Sequence, residues 1–151
     1  MMHPYLTLAL PAAEHTQILA HARSQYPREC CGLLIGRPAA ANRHILQVKR
    51  SVAAANCAPA SDQASSYAID SLFYLQQEQI AAAAGLEIIG VYHSHPNHPA
   101  KPSNTDLRQA WPVYVYLIVS LDAAHTLCVR AWVMDESQGR FLGVPIGAIQ
   151  E

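Results

Sequence analysis

The run LEIIGVYH, residues 86–93, constrains the fold more than any other stretch of this chain. It is apolar almost throughout, so neither face of it is suited to water. It is shorter than an ordinary buried helix and far short of the ~18 residues a membrane-spanning helix requires. A strand buried on both faces fits, and such a strand needs other elements packed above and below it. The flanking sequence supplies them. Residues 12–26 (AAEHTQILAHARSQY) suit a helix ended by Pro27. Asp70 can cap a second helix that runs through Ala84, with Gly85 as its stop, and Ser103 can start a third that reaches about Trp111.

Further strands surround the central one. CGLLIG reads as a buried strand opening at Glu29, and RHILQVKRSV (43–52) as an alternating one. VYVYLIVSL (113–121) and TLCVRAWVMD (126–135) read as core strands joined by a turn at 122–125. FLGVPIGAI (141–149) contains a proline and reads as a single edge strand. The N-terminal MMHPYLTLALPAAEH has a short apolar run with no Lys or Arg ahead of it, which reads as a first strand and not as a secretion signal. Residues 53–66, rich in Ala, Ser, Asn and Pro, form a long loop, and loops of that length are often functional. With no repeat or linker, residues 1–151 read as one α/β (α+β) domain.

Composition excludes several functions. Net charge is −1 with no basic stripe, which speaks against nucleic acid as a partner. No apolar run reaches membrane length, so no membrane association is expected and the cytoplasm is the expected location. Cys30, Cys31, Cys57 and Cys128 include no C-x-x-C pair, so free buried thiols are expected in place of a disulfide framework or a cysteine zinc site.

The chemistry concentrates in YHSHPNHPAKPSNTD (92–106). His93 and His95 are two apart at a strand end, so both imidazoles face the same side. Ser103 and Asp106 fit a capping box, which accounts for both without any metal but leaves the histidines unexplained. Capping does not exclude ligation, because a carboxylate one turn into a helix can still face a strand end. Two imidazoles and a carboxylate make three protein ligands, the number a catalytic zinc site keeps. Such donors suit Zn²⁺ better than Mg²⁺ or Ca²⁺, with iron and manganese still open. His98, in the turn, is a further candidate ligand. Glu29 is the candidate proton acceptor, and the plainer alternative for it is an exposed strand end beside Arg28.

E-C-C-G-L-L-I-G from Glu29, followed from His93 by H-S-H-P-x6-S-x-x-D, resembles the JAMM, or MPN-plus, metallopeptidases. P-R-E-C-C-G, Asn56 ahead of the long loop, Y-A-I-D before the second helix and G-V-Y-H-S-H-P extend the likeness to compact bacterial members, over roughly residues 5–135. The resemblance implies a curved, mixed, mostly antiparallel sheet flanked by helices, the JAMM/MPN (cytidine-deaminase-like) fold. It implies that His93, His95 and Asp106 hold one Zn²⁺ whose fourth ligand is water. Glu29 would take that water's proton and pass it to the leaving amine, and Ser103 would donate to the oxyanion.

The implied substrate is a ubiquitin-like protein, in compact members a sulfur-carrier protein, cut at a peptide or isopeptide bond after its C-terminal Gly-Gly. The loop at 53–66 would wall the cleft, with Tyr67 among the substrate contacts. Two alternatives stand beside this: a RadC-like MPN protein of DNA metabolism, and a binding module with a purely structural metal. The second would be supported by a fourth protein ligand, His98 or a cysteine.

Overall fold

The computed structural model describes residues 6–147. Eight strands form one sheet among these residues: β1 (Thr7–Ala9), β2 (Cys31–Pro38), β3 (Ile45–Ala54), β4 (Glu87–Pro96), β5 (Val115–Leu121), β6 (Leu127–Asp135), β7 (Arg140–Val144) and β8 (Ile146–Gly147). Their order across the sheet is β7-β6-β5-β4-β2-β3-β1-β8. β4 and β5 pair in parallel, as does β1 with β3 and β8, and the other neighbours are antiparallel. The helices are α1 (Ala12–Gln25), α2 (Ser71–Ala83) and α3 (Asn104–Gln109). The expected α/β class and mixed, mostly antiparallel sheet are what is found. No helix among the described residues is long and apolar enough to cross a membrane.

The sheet curls because its two ends meet in the chain. β7 and β8 stand at opposite ends of the strand order, yet only Pro145 separates them. The single edge strand expected over 141–149 is therefore two strands on two edges. Pro145 has no N–H to continue a ladder, while its carbonyl accepts from the Leu8 N–H at 2.9 Å and so hands the chain over to β1. Residues 148 and 149 of that run, and residues 1–5 of the expected first strand, lie outside the described residues.

Alternation along the strands divides the core in two. Leu34, Tyr92, Leu117 and Val119 share one cluster with Ile18 and Ala22 of α1. Leu33, Ile35, Val91 and Tyr116 form the other, with Ala81 of α2. Both faces of β4 are thus covered, as its apolar sequence requires. Each fully buried side chain of this size contributes about 1.5–3 kcal/mol. Gly32 allows close packing on this sheet. A Cβ there would lie 2.1 Å from the Tyr92 ring, whose hydroxyl lies 2.7 Å from His21 Nδ1.

Helix ends follow local chemistry. The Asp70 carboxylate accepts from the Phe73 N–H at 3.1 Å, and the chain leaves α2 through Gly85 at φ 72°. α3 is shorter than the expected run to Trp111: Ala110 is already extended at ψ 141°, and Pro112 disfavours helical backbone at Trp111. β4 is longer than expected and carries through both histidines to Pro96, where Pro96 still pairs with Leu121 of β5. β2 opens at Cys31 and not at Glu29, whose backbone groups are bonded to the long loop instead. The four cysteines are free; Cys30 and Cys31 are buried as expected, but Cys57 and Cys128 are exposed.

Candidate metal centre

His93 and His95 are both buried on the same side of β4. His95 Nδ1 lies 2.8 Å from the Pro99 carbonyl oxygen. A carbonyl can only accept, so Nδ1 carries the proton and Nε2 keeps its lone pair. The proline turn after β4 therefore selects the tautomer as well as the spacing. His93 is held otherwise: its Nδ1 is buried without a hydrogen-bond partner among the described residues, and its ring stacks on Tyr67 with centroids 4.6 Å apart.

Asp106 reaches the pair from α3. Its Oδ2 accepts from the Ser103 N–H at 2.8 Å, while Ser103 Oγ accepts from the Asp106 N–H at 3.0 Å. The capping box is thus present, and it orients the carboxylate toward the strand. His93 Nε2 and His95 Nε2 are 3.1 Å apart, and they lie 3.4 and 3.2 Å from Asp106 Oδ1 and Oδ2. Ligand atoms ~2.0–2.1 Å from a tetrahedral ion stand about 3.3 Å from one another. The three donors therefore fit the face of a tetrahedron around one metal ion. His93, His95 and Asp106 could hold a metal, and no fourth His, Cys, Asp or Glu joins them among the described residues. His98 lines the adjacent cleft but is not part of the cluster.

Electrostatics favour the metal-binding forms of His93 and Asp106, while the shift at His95 runs the other way until a metal displaces its proton. Burial lowers the His93 imidazole below its ordinary value. Burial would raise Asp106, but its bonds to His93 and His95 hold the carboxyl well below the usual carboxylate range. Burial would lower His95, yet the Asp106 carboxylate and the Pro99 carbonyl raise it on balance. A neutral imidazole and an ionised carboxylate are the states that ligate.

Glu29 is only 5% exposed, which rules out the exposed strand end beside Arg28. Burial lifts its carboxyl to about 7; nearby His95 opposes the rise and Asp106 adds to it. Glu29, Ser65, His95, His98 and Ser103 line one cleft of about 340 Å³. The long loop does supply a wall, through Ser65. Tyr67 does not line that cleft: its ring is spent on His93.

Three residues that fix Glu29 escaped the sequence reading in this role. Ser94, between the two histidines, accepts from the Cys30 N–H through Oγ at 2.8 Å and donates its own N–H to the Cys30 carbonyl at 3.1 Å. Asn56 and Gln63 bond the backbone of Glu29 itself. A usable signal existed for Ser94: a polar residue inside a doubly buried strand must find a partner.

A two-histidine, one-carboxylate centre at a strand end, with a buried glutamate across a shared cleft, defines the class. The chain belongs to the prokaryotic JAB family: the family model described as prokaryotic homologs of the JAB domain matches residues 11–135. The JAMM-type resemblance read from the motif is therefore established. A desampylase of Haloferax volcanii is 36% identical over 138 residues, covering 85% of this chain and 90% of the relative. A probable TtuB-protein conjugate cleaving protease of Thermus thermophilus is 32% identical over 134 residues, covering 88% and 80%. The solution structure of a protein from Desulfitobacterium hafniense superposes with a TM-score of 0.81 at 27% identity, covering 96% of this chain and 94% of that one.

Proposed function

We propose that this chain is a zinc metallopeptidase that hydrolyses the peptide or isopeptide bond after the C-terminal Gly-Gly of a ubiquitin-like protein, in particular a sulfur-carrier protein. The observation that carries the reading is the shared cleft: a buried carboxyl with a pKa of about 7 opens onto the same space as His95 and Ser103. His93, His95 and Asp106 would hold the zinc. When bound there, the ion supplies Lewis acidity and brings the pKa of a coordinated water toward neutrality.

The protein's own groups complete the chemistry. Glu29, buried and facing the shared cleft, accepts a proton from the attacking water and gives it to the leaving amine. Ser103 spends an acceptor lone pair on the Asp106 N–H, which leaves its hydroxyl proton free to donate to a developing oxyanion. Capping and oxyanion roles are thus compatible in one side chain.

A protein substrate is supported by the Thermus relative, which is named for cleaving protein conjugates. Glycines before the cut suit this cleft, because a chain without Cβ atoms can approach between the long loop and the proline turn. The test is a ubiquitin-like carrier with a C-terminal extension, compared with one whose last Gly is replaced by Val. The Val carrier should resist cleavage; equal cleavage of both would overturn the narrow-cleft reading.

A further inference from the structure

Both backbone polar groups of Glu29 leave the sheet and bind the loop between β3 and α2. The Glu29 N–H donates to the Gln63 carbonyl at 2.6 Å, and its carbonyl accepts from Asn56 Nδ2 at 3.0 Å. Asn56 uses every bond its amide can make. Nδ2 also donates to the Ser66 carbonyl at 3.0 Å, while Oδ1 accepts from the Ala58 and Ala68 N–H groups at 3.0 and 3.2 Å. These partners fix the orientation, since a flipped amide would set its oxygen against two carbonyls. Gln63 closes the frame by donating through Nε2 to the carbonyls of Asn56 and Ala58 at 3.1 and 2.9 Å.

The same loop presents Ser65 to the cleft that Glu29, His95 and Ser103 line. One amide-knit body therefore both walls the substrate channel and sets the place of the acid–base group. A loose surface loop of Ala, Ser and Pro could not do this alone, because its backbone has no ladder to join. The frame substitutes two side-chain amides for that ladder.

We propose that Asn56, braced by Gln63, is a positioning residue for Glu29: it acts on the reaction through the base and touches neither substrate nor metal. The proposal rests on the peptidase reading above. Misplacement of a reacting group by about 1 Å can cost ~10²-fold in rate, so Asn56→Ala should lower kcat by about that factor.

The closing experiment is a double-mutant cycle on the zinc-loaded chain with Asn56→Ala, Glu29→Gln and the pair. The probe is a ubiquitin-like carrier with a peptide fused after its Gly-Gly. Gln63→Glu, which keeps its shape but loses both Nε2 donors, serves as a second route to the same loosening should Asn56→Ala fold poorly. In parallel, hydrogen exchange at the Glu29 amide is followed in each variant with an intact Glu29. Positioning predicts a drop in kcat with KM and zinc content little changed, no further loss when Asn56→Ala is added to Glu29→Gln, and faster exchange at Glu29.

If Asn56→Ala instead raises KM with kcat intact, or costs as much in the Glu29→Gln background as in the parent, the residue only braces the cleft wall and the proposal falls. If the parent cleaves nothing, the peptidase reading fails. Glu29 exchange then judges the frame alone: acceleration in both loosened variants upholds it, and unchanged exchange overturns it.

Discussion

Glu29 carries an energetic signature that can be read without a substrate. In the metal-free chain burial raises its carboxyl from 4.5 to about 7. The folded state then keeps a proton over a window in which the unfolded chain has already released it. Unfolding releases that proton, so the contribution of Glu29 to stability falls as pH rises from about 4.5 to about 7. At about 1.4 kcal/mol for each tenfold difference in proton affinity, holding the ionised carboxylate in the fold costs roughly 3 kcal/mol above that window. Glu29→Gln removes the titration. Denaturant unfolding of parent and variant in chelator, at intervals from pH 4.5 to 8, should show the parent losing roughly 3 kcal/mol relative to the variant. Parallel pH curves would refute the burial argument. The same variant loaded with zinc should retain the ion and lose ~10²–10⁴-fold in turnover, because an amide cannot take the proton. Near-parental activity would make Glu29 a structural residue.

Other consequences follow from the same geometry. Ser103→Ala should lose ~0.5–2 kcal/mol with the cap and a further ~10²–10³-fold in turnover with zinc retained, read by denaturation, metal analysis and kinetics. Ser103→Asp keeps a capping carboxylate but sets negative charge where the oxyanion forms, so a stable, active Ser103→Asp protein would remove the catalytic role. His95→Ala and Asp106→Ala should each lose most of the bound zinc, since two donors remain of three. Full metal occupancy in both, by elemental analysis of the purified variants, would take these side chains out of the coordination sphere.

The elements legible in the sequence were those set by local chemistry. Asp70 with its capping carboxylate and Gly85 with its positive φ bracket α2, and the apolar run at 86–93 is a strand covered on both faces. His93, His95, Ser103 and Asp106 were legible because strand parity and a capping box fix their directions within one short stretch. What depends on distant partners was not legible. The split at Pro145 is decided by where β1 and β6 lie, and nothing within 141–149 announces it. The Ser94–Cys30 bond spans 64 residues. The bonds that pull Glu29 off β2 onto the long loop come from Asn56 and Gln63; Asn56 stood out only as part of the family likeness, and nothing local to either residue names Glu29 as its partner. Tyr67 was expected to meet substrate, and its ring instead stacks on His93, a contact between residues 26 apart that no local signal announces.

The most direct test of the central claim is mass spectrometry of a folded ubiquitin-like carrier bearing a short extension after Gly-Gly, incubated with the purified chain with and without chelator. The expected result is one product ending at the second glycine, its loss with chelator, its return when zinc is restored, and little cleavage of the same tail as a free peptide. A product that persists in chelator, or one cut away from the Gly-Gly junction, would contradict it.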